Sequence, residues 1–475
     1  MSYPRPSLGH QKSDHNGGVQ GHDLVGRKIR RGLVGLAVGS SVLLTVGIPQ
    51  SAVANPVDAF GIGARGAALA GAQTAASKDS SANYYNPALL ARLNDLHIDI
   101  GYRVAAPYLT IGGANLGVDT SRGTHIGIAV PGALGPLQVA IGGATFIPDQ
   151  HLSRVRSLPP GRPRFSLYDN RPQRFFLAAN VAIRAGERVW VGAGISFMSN
   201  TSGGVVLDGR IGFPDAADSD LSLAIDIDLQ TIRYPQAGIA IQVSPWLLVG
   251  ASYRGQFNLV SDLHIRLQGD VGRENLPPLV ENGFLELRSL VQDLFQPAQF
   301  TVGAALKTAG GWTFTLDASF HRWSQLTNPS AQIDVDADLG DFNDLVEIPM
   351  RKAARDPQFH DILIPRLGIE APLYQDEMIQ MIARGGYSYE PTVAPEQTGE
   401  TNFVDNDKHT VSTGLGIEFD GLGSIVTQPV SFDLYMALTV LPERSHRKLS
   451  PIDPVGDYRA GGWIAAFGMS SRWRF

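Results

Sequence analysis

Three stretches hold residue types at spacings that could do chemistry. Residues 61–66 read GIGARG, the G-x-G-x-x-G spacing with which a glycine-rich loop approaches a dinucleotide pyrophosphate. Ser319 and His321 lie two residues apart and could supply a nucleophile and its base. Residues 334–340, DVDADLG, space their carboxylates as a calcium loop does. Together these stretches raise cofactor binding, hydrolysis and metal binding as hypotheses.

None of the three stretches has the surroundings that its chemistry requires. A dinucleotide loop follows a strand and needs an acidic residue about 20 positions later, but position 83 is Asn in a polar segment. The acidic stretch has Gly340 at position 7 and Leu345 at position 12, where a calcium loop has Gly at 6 and Glu at 12. We therefore expect a solvated acidic loop, polar residues at 319 and 321, and a protein that is not an enzyme and has neither cofactor nor metal.

The composition excludes several classes of protein. The chain has 475 residues, including 53 glycines, only 18% charged residues and no cysteine, and its mean hydropathy is −0.03. This hydropathy is too low for a bundle of membrane helices, and the lack of cysteine excludes disulfides and thiolate metal sites. The net charge of −6 without a basic stripe argues against a nucleic-acid partner.

The N-terminus has the layout of an export signal. The basic run RKIRR at 27–31 precedes an apolar run at 32–48, and small residues follow at Ala52 and Ala54. This pattern predicts that residues 1–54 form a signal peptide with a long polar leader, cleaved after Ala54. An uncleaved membrane anchor is the alternative, since the apolar run is close to the shortest that can span a bilayer.

Beyond residue 93 the dominant pattern is strict alternation of apolar and polar residues. Segments of about 10–12 residues repeat it, the length that a tilted strand needs to cross a bilayer. Their polar faces hold Gly, Ser and isolated charges, as a wet lumen would. The clearest segments are 96–104, 189–197, 247–254, 312–320, 381–389, 411–419 and 431–440.

The connections between these segments alternate in length. The tight turns are at 185–187, 244–245, 309–311 and 375–376, and the long polar loops are at 149–171, 326–360, 391–407 and 441–459. A soluble sandwich would share the alternation, but short turns at one end and long loops at the other are the outer-membrane layout. We predict a transmembrane antiparallel β-barrel of roughly 14 to 16 strands.

The last segment, WIAAFGMSSRWRF, alternates to the end of the chain. Its terminal aromatics, Trp473 and Phe475, resemble the assembly signal of bacterial outer-membrane barrels. We therefore expect the barrel-assembly machinery to be a partner; the alternative is a final strand that happens to end in Phe.

Between the signal peptide and the first strand lie about 40 residues of short helical pattern, too short to form a domain alone but able to sit inside a barrel. Small residues at 64–72 predict one helix, and Asn86-Pro87-Ala88 predicts a turn into a second at 88–93. The series G-x-G, A-x-A-G-A, D-S-S-A and Y-N-P-A-L-L resembles the N-terminal hatch of the FadL/TodX family. Strand segments at 317–324, 365–370 and 383–391 are similar to that family as well.

The resemblance implies an all-β fold: a barrel of about 14 strands at 94–475, with a mostly helical hatch at 55–93 plugging its lumen. It implies passive uptake of long-chain fatty acids or hydrocarbons, gated by hatch movement and followed by lateral release. Asn86, Pro87 and Ala88 match the moving section of the hatch. Our own inference places a strand kink at Gly142 and Gly143, in a third strand at about 135–147, because glycine weakens and bends strands.

Three arginines on the polar faces could bind a cargo carboxylate: Arg103, Arg254 and Arg384. The alternative, which we favour, is that they are structural charges paired with Asp99, Asp433 or Glu418. Residues 282–296 are predicted to form an amphipathic helix, either a landing site for cargo or a helix packed on its loop.

The sequence thus predicts a monomeric transporter in the Gram-negative outer membrane, in contact with membrane lipid and lipopolysaccharide. A surface adhesion protein is the first alternative, and a barrel hydrolase using a Ser/His pair is the second.

Overall fold

The computed structural model describes residues 56–150, 162–169, 174–213, 215, 219–272, 276–326, 332–338, 340, 356–420 and 428–475. The predicted signal peptide, residues 1–54, lies outside them. Within these ranges no helix is both long enough and apolar enough to cross a membrane.

Among the described residues, eighteen strands join into one sheet. They are β1 (His97–Ile111), β2 (Ala114–Asn115), β3 (Ser121–Leu134), β4 (Leu137–Pro148), β5 (Phe176–Ala185), β6 (Val189–Gly212), β7 (Asp220–Ser244), β8 (Leu247–Arg254), β9 (Phe257–Gly272), β10 (Val280–Gln296), β11 (Gln299–Lys307), β12 (Thr313–His321), β13 (Gln332–Asp338), β14 (Ile362–Gln375), β15 (Ile379–Glu390), β16 (Lys408–Phe419), β17 (Val430–His446) and β18 (Tyr458–Arg474).

Fourteen of these strands close an antiparallel barrel, in the order β1, β3 to β8, β11, β12 and β14 to β18. The first and last strands pair along their whole length, from His97 opposite Arg474 to Ile111 opposite Ala460. The backbone of Phe475 extends this seam through two hydrogen bonds with Leu96. The predicted barrel is therefore confirmed, with 14 strands.

The alternation along the strands places every second side chain on the outside of the barrel, as predicted. Ile141, Val302 and Met436 are more than half exposed on the outside of the wall, which in a membrane is contact with lipid. Tyr108 and Trp463 stack at 5.5 Å between ring centroids near the long-loop end. Trp246 and Trp312 lie exposed at the tight-turn end, as the interfacial aromatic residues of an outer-membrane barrel do.

The strands β9, β10 and β13 extend this sheet above the barrel wall. The upper parts of β6 and β7 continue beyond it, β9 pairs parallel with β6, and β10 and β13 follow. The helix predicted at 282–296 is therefore wrong, since this segment is β10. The acidic loop expected at 334–338 is likewise strand β13. The apolar residues of β10 also fit helical spacing, but pairing with the neighbouring strands determines its structure, and such pairing depends on tertiary context.

Residues 56–93 lie inside the barrel as four short helical segments. They are α1 (Pro56–Phe60), α2 (Ala64–Ala68), α3 (Ala82–Tyr85) and a 3-10 helix (Pro87–Arg92). The predicted helix at 64–72 is thus shorter than expected, and the second helix begins at Pro87. Helix α2 packs against β15 to β18, whereas the 3-10 helix packs against β3 to β7. The segment therefore reaches opposite walls of the barrel, and we call residues 56–93 the hatch.

Candidate functional site

Glycines on the lumen face of the wall allow the hatch backbone to approach closely. A Cβ added at Gly386 would lie 2.4 Å from the Leu69 carbonyl carbon, and one at Gly192 would lie 2.5 Å from the backbone of Pro87 and Ala88. Similar conflicts with the hatch occur at Gly127, Gly142, Gly238, Gly250 and Gly414, while at Gly303 and Gly368 the nearest hatch atoms would be 3.0 and 3.1 Å away. A side chain at the first five positions would displace the hatch, so its presence explains why these positions are glycine.

Two buried asparagines hydrogen-bond the hatch to backbone carbonyls of the barrel wall. The Asn86 amide donates to the Thr74 carbonyl at 2.7 Å and to the Ile239 carbonyl of β7 at 3.1 Å. Its Oδ1 accepts from Ala88 N, which caps the 3-10 helix that starts at Pro87. Asn86, Pro87 and Ala88 are therefore in contact with one another and with the wall, at the place where the resemblance puts the moving section.

Asn83 makes the corresponding contacts with the neighbouring strands. Its amide donates to the Ile128 carbonyl of β3 and the Gly143 carbonyl of β4, at 3.0 and 3.1 Å. Asn180 and Gln236 donate to the Asn83 backbone carbonyl at 3.0 and 2.9 Å. Asn83 was not predicted from the sequence, although it lies only three residues before Asn86.

A buried ion-pair network holds the other side of the hatch. Arg65 forms a two-point contact with Glu370 of β14, with both distances 2.8 Å. Glu370 also accepts from Arg384 of β15, which in turn donates to Asp433 of β17 at 2.6 Å. Arg384 is therefore committed to structural pairs, and its predicted pairing with Asp433 is confirmed.

The network continues to the barrel seam through Arg472 of β18. Arg472 donates to Asp99 of β1 at 2.9 Å and to Asp79 of the hatch at 2.6 Å. Burial alone would raise the pKa of the Asp79 carboxyl, but the guanidinium groups of Arg472 and Arg65 outweigh burial and hold that pKa well below its usual range. Asp79 is thus an anion that ties the hatch to the first and last strands.

Arg254 and Arg103 contact the first turn of the hatch. Arg254 pairs with Asp58 at 2.7 Å and lies over the ring of Tyr84. Arg103 donates to the Gly61 carbonyl at 2.6 Å and stacks on Phe146 at 4.0 Å. All three arginines predicted as carboxylate partners are thus engaged with the wall or the hatch. The predicted pairing with Asp99, Asp433 or Glu418 is wrong for Arg254, whose partner is Asp58.

Above the hatch, aromatic rings from the long-loop end form a continuous apolar chain. Phe295, Trp323, Phe359 and Phe403 contact one another in sequence, with ring centroids 5.6 to 6.2 Å apart. They belong to a buried apolar cluster against which Phe60 of α1 packs. The cluster leads from the long-loop end to the hatch, and it could not be predicted from the sequence because its members come from strands and loops that are far apart in the chain.

The Ser319 hydroxyl is 2.5 Å from Arg366 and 2.8 Å from Thr301. These partners, rather than an imidazole, orient it, so Ser319 lacks the base that a serine nucleophile needs. Gly142 and Gly143 lie in β4, whose pairing with β3 and β5 continues through both glycines without a register shift.

Known proteins share this architecture at low sequence identity. The structure of a FadL homologue from Pseudomonas aeruginosa matches with a TM-score of 0.54 and 14% identity, covering 90% of this chain and all of that one. The toluene transporter TodX of Pseudomonas putida matches with a TM-score of 0.50 and 15% identity, over 90% of this chain and 100% of that chain. The monoaromatic hydrocarbon channel CymD gives 0.50 and 14%, over 89% and 98%.

Among curated sequences, alkane uptake protein A of Marinobacter nauticus is 28% identical over 195 residues. That alignment covers 40% of this chain and 39% of the relative, so it spans well under half of either protein. No protein-family model matches the chain. The resemblance inferred from the hatch motif is confirmed.

Proposed function

We propose, from the fold that this chain shares with the FadL and TodX transporters, that it carries hydrophobic compounds inward across the outer membrane. The observation that supports this most directly is the buried apolar cluster that contains this chain of aromatic rings and packs against Phe60 of the hatch. A molecule poorly soluble in water gains roughly 25 cal/mol for each Å² of apolar surface that it buries on such rings. A water-filled pore would offer no such gain.

The hatch is the proposed gate. It contacts opposite walls of the barrel and its backbone is held through Asn83 and Asn86, so a passage to the other side of the membrane requires these contacts to change. Movement near Asn86, Pro87 and Ala88, followed by lateral release into the membrane, is the mechanism that we propose. In this proposal the protein moves its cargo without changing it chemically, so it acts as a transporter and not as an enzyme.

The charges of the lumen favour an uncharged cargo. Arg254 and Arg384 already pair with Asp58, Glu370 and Asp433, and replacing a buried carboxylate by that of a fatty acid would break an existing ion pair. We therefore propose that hydrocarbons are preferred over fatty acids. Outer-membrane lipid and lipopolysaccharide surround the barrel in this proposal, the assembly machinery inserts it by way of Phe475 and Trp473, and it works as a monomer.

Uptake of labelled hexadecane and palmitate by a deletion strain tests this function. We expect the wild-type gene to restore hexadecane uptake more strongly than palmitate uptake. Asn86→Ala should lower hexadecane uptake several-fold, because without its three side-chain hydrogen bonds the hatch does not return to one defined position. If uptake of both compounds is the same with and without the gene, surface adhesion becomes the better hypothesis for the function of the barrel.

A further inference from the structure

The loop at 391–407 joins β15 to β16 and folds into the outer mouth of the barrel; we call it the cap. Its residues Phe403 and Val404 are 2% and 0% exposed and belong to the apolar cluster above the hatch. The same cluster contains wall residues of β1, β14 and β18 and packs against Phe60 of the hatch. The cap therefore fills the space between the wall and the hatch at the end where cargo enters in the proposed function.

The Phe403 ring ends the chain of aromatic rings. It meets Phe359 edge-on, with 6.2 Å between the ring centroids, and the Arg164 guanidinium lies over it at 5.7 Å. The buried members of the cluster are all at most 9% exposed. The apolar site that we propose for cargo is thus filled by a side chain of the protein itself, and a cargo molecule has to replace that side chain.

The cap can leave its place without disturbing the barrel wall. The last pair between β15 and β16 is Glu390 opposite Lys408, so the residues between them add nothing to the ladder of the wall. The cap meets a neighbouring loop through isolated main-chain hydrogen bonds, such as that from Val404 N to the Arg164 carbonyl at 2.8 Å. Opening the cap therefore leaves the strand pairing of the barrel intact.

A buried ion pair holds the two ends of the cap together. Asp405 is fully buried and pairs with Lys408 at 2.9 Å, and Lys408 also pairs with Glu390 at 3.0 Å. The Asp405 carboxylate accepts from Val393 N at 2.9 Å as well, so it joins the start of the cap to its end. Because a buried charge that loses its partner is strongly destabilised, the closed form of the cap depends on Asp405.

The upper ends of β17 and β18 hold the cap from the side. Arg444 of β17 donates to the Ala394 carbonyl at 2.7 Å, and the Asn406 amide donates to the Ala460 carbonyl of β18 at 2.8 Å. These are polar contacts to backbone carbonyls, and water can replace them when the cap opens.

We propose that the cap is a second gate, and that in its closed form Phe403 occupies the place of an uncharged hydrocarbon in the aromatic cluster. The apparent affinity for cargo is then the intrinsic affinity reduced by the fraction of molecules whose cap is open. A hydrocarbon suits this exchange because it replaces one apolar contact by another and brings no charge that needs a partner. The inference rests on the proposed function, since it concerns access to the same apolar cluster.

The test compares two phenylalanines of one cluster, Phe403 in the cap and Phe359 outside it. The purified full chain is titrated with 1-bromooctane, whose bromine quenches the fluorescence of Trp323, 6.2 Å from the Phe359 ring; a Trp323→Phe protein gives the contribution of the other tryptophans. We expect Phe403→Ala to lower the apparent Kd about tenfold, equivalent to roughly 1.4 kcal/mol, because the closed cap loses its ring contact. Phe359→Ala should raise the Kd, because cargo loses a ring against which it packs.

A second pair of variants tests the ion pair of the cap without changing an aromatic ring. Asp405→Asn removes the buried carboxylate, whereas Glu400→Gln removes an exposed carboxylate of the same loop. We expect Asp405→Asn to lower the Kd for 1-bromooctane about tenfold and Glu400→Gln to change it by less than about twofold. Phe403→Leu repeats the ring test with a smaller loss of packing if Phe403→Ala assembles poorly, and its Kd should shift in the same direction.

A weaker affinity in Phe403→Ala, like that expected of Phe359→Ala, overturns the proposal, because Phe403 would then line the cargo site. An unchanged Kd in both Phe403→Ala and Asp405→Asn also overturns it. Whole cells of the same strains receive labelled hexadecane as a dissolved cyclodextrin complex. If the wild-type gene restores this uptake but Phe403→Ala does not tighten binding, the inference about the cap alone is wrong. If the wild type neither binds 1-bromooctane nor restores uptake, the proposed function is wrong and the inference falls with it.

Discussion

At the scale of single residues, the role of a wall glycine depends on whether a Cβ at that position would point toward the hatch or away from it. A Cβ at Gly142 would lie 2.4 Å from Oδ1 of Asn83 and 2.9 Å from Cδ1 of Leu90, whereas one at Gly143 would find nothing closer than 3.5 Å. Gly142→Ala should therefore push the hatch from its place and lower the free energy of unfolding by about 1–3 kcal/mol, the usual effect of overpacking. Gly143→Ala should be close to neutral. Denaturant unfolding of the purified barrel measures both.

The same pair of variants separates hatch packing from the strand kink predicted at these glycines. A kink that depends on both residues would make Gly143→Ala as damaging to hexadecane uptake as Gly142→Ala. The uninterrupted pairing of β4 gives no reason for that result. If it is nevertheless found, the packing explanation for Gly142 is wrong, and the kink remains the better hypothesis.

Single residues also show where sequence reasoning ends. The lumen parity of the glycines was readable from the alternating strands, but the hatch atoms opposite them were not. Arg65 and Glu370 are 305 positions apart and Arg472 and Asp79 are 393 positions apart, so no local pattern connects them. Asn86 was found only because the motif around it resembles that of a known family.

At the level of elements, the buried network around Glu370 fixes the hatch to β14 and β15. Glu370→Gln would remove the carboxylate that Arg65 contacts, and leaving a buried charge without its partner typically costs about 3–5 kcal/mol. Arg384 keeps its pair with Asp433. We expect the hatch to be released from that wall while the barrel stays closed. Limited proteolysis should then cut within residues 56–93, and the single-channel conductance should increase.

Glu443→Gln provides the matched control for this element. Glu443 pairs with Arg459 at 3.2 Å, but both side chains are largely exposed, and such surface pairs contribute about 0–1 kcal/mol. Its proteolysis pattern and conductance should equal those of the wild type. A protected hatch in Glu370→Gln would show that the remaining contacts, which are the asparagine hydrogen bonds and the ion pairs of Asp58 and Asp79, are sufficient to hold it.

A helix or strand was predictable where its apolar residues fit only one spacing, either the two-residue alternation of a strand or the spacing of a helix. The barrel strands alternate strictly, and their bounds agree with the expected turns at 185–187 and 309–311. Strand β10 was misassigned because its apolar residues also fit the helical spacing, while Leu285 and Leu287 opposite Leu267 and Ile265 show the pairing that prevailed. Only the pairing with β9, the strand that precedes it in the chain, distinguishes helix from strand here, and that pairing cannot be seen in residues 282–296 taken alone.

For the whole molecule, the barrel and the hatch pose one question: does cargo pass while the hatch stays bound to both walls? The chain contains no cysteine, so an introduced pair can form only the intended disulfide within the protein. A Cβ at position 368 lies 3.1 Å from the Cβ of Leu69, and a shift of several tenths of an ångström reaches the usual spacing of about 3.5–4.5 Å. Leu69→Cys with Gly368→Cys should therefore lock α2 and the loop that follows it to β14.

If the hatch must move, oxidation of this double variant should reduce hexadecane uptake at least about tenfold, equivalent to a rise of roughly 1.4 kcal/mol in the transport barrier. Reduction should restore uptake to the level of the two single-cysteine variants. The Gly368→Cys single variant is needed as a control because a side chain at position 368 also contacts Thr315. Uptake that is equal in the oxidised and reduced forms would show that α2 does not have to leave β14 for cargo to pass. The region of Asn86 and the 3-10 helix, on the opposite wall from α2, would then be the next place to lock.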